Sequence, residues 1–497
     1  MNIEVAATKP RNITTDILVF GLVGRGGTSD GWKALRRVLG GNPLPQLELE
    51  GWKGKAGDFV VFHAPPRANC RMIAVGYLAN RGTPARGAIR DLANRVANKA
   101  RSVGMSRVAF FLDPAFDGPR GIERWAYQEL GEGLGFGSYR FDAHLAKKAE
   151  HPPADSVYAY YRGRRDRDEV AQAITDGLLI ATAQNKARDL VNEPANVVNP
   201  ESYVDYAKAL AEEHGLGITV LNREECAARN MNAFLAVGQG GGYEPHLVHL
   251  TWTPENPKAR VALVGKAVTF DAGGLCIKTA AGQATMKMDM GGSAAVFGAI
   301  AAVASLNLPV EVHAIFAACE NMLGSKAYHT GDILKASNGK TIEVLNTDAE
   351  GRLTLADALV YAGELKPDYL IDLATLTGAC IVALGMNIAG IMGTNRSLVR
   401  ALKAAGDTAG EPMWELPLPP DYKELLKSKV ADMKNIGGRW GGAITAGLFL
   451  SEFVPEGVPW AHIDIAGPCF VESPTPTRPY GGTGFPVRAL VQWMRGL

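Results

Sequence analysis

The sequence predicts an α/β protein of two domains, each a mostly parallel or mixed sheet flanked by helices, with the larger C-terminal domain carrying the chemistry. Three observations lead there. Short apolar, β-branched runs alternate with segments of helical period along nearly the whole chain, the pattern of βαβ units. The runs of the second half are too uniformly apolar for either side of a strand to face water, so helices must cover both faces. A chain of 497 residues also exceeds what one ordinary core organises, and two domains are the natural division.

Taken in order, residues 1–165 make the smaller domain. Its candidate strands are Ile17–Phe20, Phe59–Phe62, Met72–Val75 and Val108–Leu112, and a helical period runs from Ala88 to Val103. Gly24-Arg25-Gly26-Gly27 follows a strand but lacks the G-x-G-x-x-G spacing of a nucleotide site. The charge run Tyr161-Arg162-Gly163-Arg164-Arg165-Asp166-Arg167-Asp168 has no apolar period and reads as a solvated hinge rather than a nucleic-acid contact. A linker helix then spans about 168–191, with Val170, Ile174, Leu178 and Ala181 on one face, and Asn192-Glu193-Pro194 ends it. The larger domain, 166–497, has candidate strands at Ile218–Leu221, His246–Thr253, Arg260–Val264, Val310–Ala317, Lys340–Leu345, Tyr369–Ala374 and Ala461–Ile465. Its candidate helices are Tyr203–Glu213, Gly291–Ser305, Thr354–Gly363 and Ala443–Phe453. Loops at the strand ends should carry function, as open α/β sheets arrange it.

Composition narrows the classes. Hydrophobic content of 47% with 21% charged residues is that of a globular protein, and 52 Lys+Arg against 51 Asp+Glu leave no global field to attract nucleic acid or anionic lipid. Met1-Asn2-Ile3-Glu4-Val5 lacks the order of a secretory signal. No run reaches the ~18 apolar residues of a membrane span, the nearest being Ala379–Gly393. A soluble, cytoplasmic protein is the expectation. Cys70, Cys226, Cys276, Cys319, Cys380 and Cys469 show no C-x-x-C spacing and read as reduced core fillers.

The chemistry centres on Ile342-Glu343-Val344-Leu345-Asn346-Thr347-Asp348-Ala349-Glu350-Gly351-Arg352-Leu353-Thr354-Leu355-Ala356, a strand that ends in a polar turn opening a helix. In an extended segment Asp348 and Glu350 point to one side. Alone, the pair could equally cap the helix and bind Arg352. Upstream, however, Lys266, Asp271, Lys278 and Asp289 stand in apolar, glycine-rich surroundings, an odd place for charges unless they are paired or metal-bound. Four carboxylates against a few fixed cations would be balanced by two divalent ions, and two metals ~3.5–4 Å apart make a hydrolytic centre. H-E-x-x-H is absent, and no G-x-S-x-G lies in these stretches.

At these residues the chain resembles the leucyl aminopeptidase, or cytosol aminopeptidase, family of dinuclear metallo-exopeptidases. Asn346-Thr347-Asp348-Ala349-Glu350-Gly351-Arg352-Leu353 matches the family's signature octapeptide in full. Val264-Gly265-Lys266, Thr269-Phe270-Asp271, Ile277-Lys278, Asp289-Met290-Gly291-Gly292, Glu320-Asn321-Met322, Asp372-Leu373-Ala374-Thr375-Leu376-Thr377-Gly378 and Trp460-Ala461-His462-Ile463-Asp464 match in order and spacing. The resemblance implies one metal on Lys266, Asp271, Asp289 and Glu350, and a second on Asp271, Asp348 and Glu350 with the Asp348 carbonyl. The metals would be Mn²⁺ or Zn²⁺, and Lys266 would ligate as the neutral amine. It implies Lys278 at the substrate carbonyl and Arg352 holding a bicarbonate that takes a proton from the attacking water. It also implies substrate-binding positions at Met286, Asp289, Thr375, Leu376, Gly378, Ala466 and Cys469, suited to Leu-like first residues of short peptides with a free α-amine. A homohexamer, a dimer of trimers, completes the implied picture. Ala267, Ala272 and Thr330 depart from the family's usual Gly, Ser and Pro. Two rival readings remain at this point: a DNA-binding regulator on the same hexameric scaffold, and a metal-dependent phosphatase or nuclease.

Overall fold

The apolar runs at the centre of each sheet become strands with both faces covered. A computed structural model describes residues 1–27, 29–80, 84–112, 124–148, 150–161 and 166–497. Its first part comprises β1 (Asn2–Ala6), β2 (Ile17–Val23), α1 (Asp30–Leu39), α2 (Leu44–Leu49), β3 (Phe59–His63), β4 (Met72–Ala79), α3 (Ala88–Ser102), β5 (Arg107–Leu112), α4 (Arg124–Ser138) and β6 (Ser156–Tyr160). The six strands lie in the order β1-β6-β5-β2-β4-β3, parallel except at the β3–β4 edge. Alternation sorts the side chains: Ile17, Val19, Val108 and Phe110 join one core, and Leu18, Phe20, Ala109 and Phe111 the other.

A long helix, α5 (Arg167–Asn192), follows. The compact units are Met1–Thr182 and Ala183–Leu497, so the division falls inside α5 and not at 165/166. The reason is packing. Val170, Ala173 and Ile174 complete the first unit's core, and Gly177 lets the helix backbone approach α4 so closely that a Cβ would lie 2.0 Å from the Gln128 carbonyl. Residues 162–165 of the expected hinge lie outside the described residues.

The second unit contains α6 (Pro200–His214), β7 (Gly217–Leu221), α7 (Arg223–Ala228), α8 (Asn232–Gly238), β8 (His246–Trp252), β9 (Arg260–Asp271), α9 (Ala280–Gln283), α10 (Gly291–Ser305) and β10 (Glu311–Asn321). It continues with β11 (Ile333–Lys335), β12 (Thr341–Glu343), α11 (Gly351–Glu364), β13 (Tyr369–Ala374), α12 (Gly378–Leu384), β14 (Ala389–Gly393), α13 (Arg396–Ala409) and β15 (Met413–Glu415). It ends with β16 (Met433–Lys434), α14 (Gly442–Ser451), β17 (Trp460–Asp464), β18 (Phe470–Val471), β19 (Gly481–Gly482) and α15 (Val487–Met494). Eight strands form the central sheet in the order β15-β14-β17-β13-β9-β10-β8-β7, and its middle four, β17, β13, β9 and β10, are parallel.

Three expectations are corrected. The strand read as Arg260–Val264 runs on to Asp271, because β10 pairs with it through the glycine and lysine that interrupt the apolar run. The stretch Lys340–Leu345 is a strand only over Thr341–Glu343, and it joins β11 and β16 in a separate three-stranded sheet. Among the described residues, Met286–Ser305, not Ala379–Gly393, is the segment long and apolar enough to cross a membrane; 83% of its apolar window is buried in the interior, where α10 packs on β9, β10 and β13. Ala389–Gly393 is instead the strand β14. All six cysteines are free.

On β8, His249 is buried, with Nδ1 3.1 Å from the Tyr361 hydroxyl and Nε2 2.9 Å from His313 Nδ1; His313 Nε2 lies 2.9 Å from Glu311 Oε1. One assignment satisfies every group: His313 donates to Glu311, His249 donates to His313, and Tyr361 donates to His249, leaving both rings neutral. Burial, helped by His313, pushes His249 down to about 4 from 6.5. Its folded pKa is the lower one, so the unfolded chain binds the extra proton, and stability is lost as pH falls from about 6.5 towards 4. Between about pH 7.5 and pH 5 this ring should remove on the order of 2 kcal/mol. Denaturant unfolding of His249→Gln should show a pH-dependent loss smaller by that amount. An equal loss in both proteins would show that the ring does not carry it.

Candidate active site

The parallel strands place their C-terminal ends together, and the charged residues gather there. On β9, Lys266 shares a face with Val264 and Val268, the face packed by α11. It fits because Gly351, which opens α11, has no side chain: a Cβ there would lie 2.5 Å from Lys266 Cε. Asp289 lies in a short 3₁₀ turn, Met286–Met290, leading into α10. That helix start sits close to the sheet because Gly292 has no Cβ to strike the Leu373 carbonyl, 2.1 Å from where one would be. Past Asp271 the chain reverses through Gly273 and Gly274, at φ 89° and 61°, which returns Lys278 to the mouth of the strand.

Lys266 Nζ lies 2.7 Å from Asp289 and 2.8 Å from Glu350 Oε1, and it donates to the Thr375 carbonyl at 3.0 Å. Lys278 Nζ is 2.7 Å from Asp271 Oδ2 and also contacts Asp348 Oδ1. One oxygen each from Asp271, Asp348 and Glu350 lie within 4.8 Å of one another. The convergence has a different cause from the alternation expected of an extended segment. Asp348 lies in a turn after β12, and Glu350 is already helical, at φ −77° and ψ −35°. Glu350 makes no side-chain cap bond to α11, and Arg352 donates to the Asn435 carbonyl at 2.8 Å, so the cap-and-pair alternative fails.

The electrostatics follow from desolvation. Burial, with the charge of Glu350 adding, raises Asp271 to about 6. Asp289 is raised well above the usual carboxylate range, again chiefly by burial, and Asp348 is raised for the same reason. Burial would also push Glu350 up, but Lys266 and Lys278 hold it below its ordinary value. Burial alone would drive the Lys266 ammonium down; Asp289, Glu350 and Asp271 overturn that and hold it above the lysine range. Lys278 is held up likewise, mainly by Asp271. Burial lowers Arg352 to about 10 against the opposing charges of Glu350 and Asp464.

The donor set suits divalent cations. Carboxylate oxygens predominate, Glu350 Oε2 is buried without a hydrogen-bond partner, and four carboxylates face two lysines. For Lys266 to ligate as an amine, a cation must take the place of its proton.

Of the remaining sequence-predicted residues, Thr375 donates to Asp289 Oδ1 at 2.7 Å, and Cys469 packs against Gly291, its thiol raised to about 12 by burial and then by Asp289. The Leu376 and Ala466 N–H groups both donate to Asp464 Oδ1 at 3.2 Å. Met286 opens the turn that carries Asp289, and Gly378 opens α12. The sequence reading assigned no role to Asn321, Asp464 or Asn435. Asn321 donates to Asp271 Oδ1 at 2.8 Å and to the Thr347 carbonyl at 3.0 Å. The signal for Asn321 and Asp464 lay in motifs already in view, since each polar residue ends an apolar strand; nothing comparable marked Asn435.

A cluster of acids and lysines at the C-terminal ends of parallel strands is the kind of centre that metal-dependent hydrolases use. Residues 185–491 match the catalytic domain of the cytosol aminopeptidase family, and residues 19–148 match that family's N-terminal domain. The chain is 42% identical over 508 aligned residues, all of both chains, to a probable cytosol aminopeptidase of Thermosynechococcus vestitus. It is 40% identical to one of Sulfurihydrogenibium, over 99% of this chain and 98% of that one. Among solved structures, a mutant of tomato leucine aminopeptidase is similar at TM-score 0.87 and 33% identity, over 100% of this chain and 97% of that one. The bottromycin maturation enzyme BotP in complex with Mn is similar at TM-score 0.84 and 32% identity, over 97% and 99%. The chain belongs to the cytosol aminopeptidase family and is a metallo-aminopeptidase.

Two outcomes follow from this geometry. Gly351→Ala should drive Lys266 off its two carboxylates and weaken Mn²⁺ binding about tenfold or more; unchanged affinity by calorimetry would contradict the close contact. Mn²⁺ must also displace protons, so affinity should rise with pH, and calorimetry in buffers of different ionisation enthalpy should register more protons released at about pH 5.5 than at about pH 8.

Proposed function

We propose that this aminopeptidase hydrolyses the first peptide bond of short peptides with a free α-amine and prefers Leu-like apolar first residues. The observation that carries this reading is the convergence of Lys266, Asp271, Asp289, Asp348 and Glu350 in one pocket, with Lys278 on its open side. The side chains of Lys266, Asp271, Asp289 and Glu350 are at most 5% exposed, against 18% for Lys278 and 32% for Asp348, so a substrate arrives past those two.

Two divalent ions, Mn²⁺ or Zn²⁺, held by Lys266, Asp271, Asp289, Asp348 and Glu350 would supply charge to polarise the scissile carbonyl and acidify water. The protein's own groups do the rest. Lys278, cationic and partly open to solvent, donates to the carbonyl oxygen as it gains negative charge while water adds to the carbon. The C–N bond then breaks, and the nitrogen leaves with a proton as the new amine. Asp289, deep in the pocket, meets the free α-amine, which explains why an acylated terminus would be rejected. Thr375 and Cys469, small and beside Asp289, together with the small Ala466, would leave room for a branched apolar side chain. Arg352, whose buried Nε has no hydrogen-bond partner, would hold a bicarbonate able to accept a proton. The proposal extends to cytosolic residence, after the relatives' names, and to a homohexamer, after the family resemblance.

Release of nitroaniline from leucine p-nitroanilide should be abolished by a chelator and restored by Mn²⁺ or Zn²⁺, with N-acetyl-leucine p-nitroanilide left intact. Lys278→Ala should lower kcat about 10²–10³-fold. Cleavage that persists in chelator, or of both substrates alike, would refute the reading.

A further inference from the structure

Asn435 follows β16 directly and is fully buried. Its Oδ1 accepts from the Leu345 N–H at 2.9 Å and the Asn346 N–H at 3.4 Å, and its Nδ2 donates to the Asn346 carbonyl at 2.7 Å and the Ala349 carbonyl at 3.4 Å. Every hydrogen-bonding capacity of the amide is thereby spent on the turn that carries Asp348. Its backbone N–H donates to the Glu343 carbonyl at 3.0 Å, and its backbone carbonyl accepts from Arg352 Nη1 at 2.8 Å. Among the described residues, that carbonyl is the acceptor Arg352 uses; the buried Nε of the same guanidinium has none.

We propose that Asn435 is a positioning residue for the hydrolysis, fixing Arg352 through its carbonyl while its side chain fastens the Leu345–Ala349 turn. The inference rests on the peptidase reading above. Removing the amide does not unpick the small sheet, which other bonds close: Asp432 accepts from the Thr341 N–H and hydroxyl at 2.8 Å, and Ser428 donates to Glu343 at 2.6 Å. What the amide adds is register between the turn and the carbonyl that holds Arg352. A displaced Arg352 alters the rate of the chemical step more than the binding of the peptide.

The test measures leucine p-nitroanilide hydrolysis at saturating Mn²⁺ by the full chain, Asn435→Ala and Asn435→Asp, each also in an Arg352→Ala background, with thermal unfolding alongside. Asn435→Asp keeps the acceptor for Leu345 and Asn346 and loses both donors, so it serves should Asn435→Ala not fold. We expect kcat to fall about 10- to 100-fold with KM within about threefold. In the Arg352→Ala background the same substitution should change kcat by less than about threefold, because its partner is already gone. Equal losses in both backgrounds, unchanged kcat, or unfolding of both variants would overturn the inference. A wild-type chain that releases no nitroaniline would instead sink the peptidase reading.

Discussion

The structure depends on placing four carboxylates close together, three of them where little water reaches. Like charges so confined repel, and each would take up a proton unless cations stand between them. Lys266 and Lys278 supply two of those cations, one deep between Asp289 and Glu350 and one at the mouth between Asp271 and Asp348. Their reach is limited, because Asp271 and Asp289 still rise above the ordinary carboxylate range while Glu350, close to both lysines, falls below it. A group of acids that two lysines only partly neutralise is a site made for further positive charge, and chelation of divalent ions by oxygen donors is the economical solution.

Local backbone choices serve that placement. Gly351 and Gly292 remove side chains where Lys266 and the start of α10 press against neighbours, and Gly273 and Gly274 take left-handed conformations that turn Lys278 back on Asp271. The acids therefore do not share one loop. They come from the end of β9, the turn before α10 and the turn before α11, so the set answers to the packing of three elements.

Much of this was legible in the sequence, for identifiable reasons. The parallel strands β9, β10, β13 and β17 are buried on both faces, so their apolar runs stand out, and the charges just beyond them are conspicuous. The signature around Asp348 and Glu350 named the site but misled on geometry, since residues two apart converge in a strand and here converge through a turn instead. The end of β9 was invisible because Gly265 and Lys266 break the apolar pattern, although pairing with β10 carries the strand through. The first unit's claim on the front of α5 was hidden for a related reason: an apolar helix face does not say which core will take it. Asn435 left no trace, because a buried amide about ninety residues downstream follows no period.

Charge balance continues behind the acids and explains why the pocket walls and Arg352 form one unit. Asp464, buried at the end of β17, accepts from the N–H groups of Leu376 and Ala466 and, at 2.6 Å, from the Thr377 hydroxyl. Its charge also supports the Arg352 guanidinium against burial. Two residues earlier on the same face, His462 is fully buried with Nδ1 2.5 Å from Asp372 Oδ1, and Trp460 donates to the other oxygen of that carboxylate at 2.7 Å. Asp372, with Asp464 assisting, holds the imidazole above its usual pKa although burial opposes it. Signs therefore alternate from Asp372 through His462 and Asp464 to Arg352 and Glu350. Breaking such a buried row at one member strands its neighbours, at a cost of about 3–5 kcal/mol. Polar side chains that never touch a peptide are thus constrained as tightly as those that would, because the charge of Arg352, held in place by the Asn435 carbonyl, is balanced by Glu350 and Asp464 together.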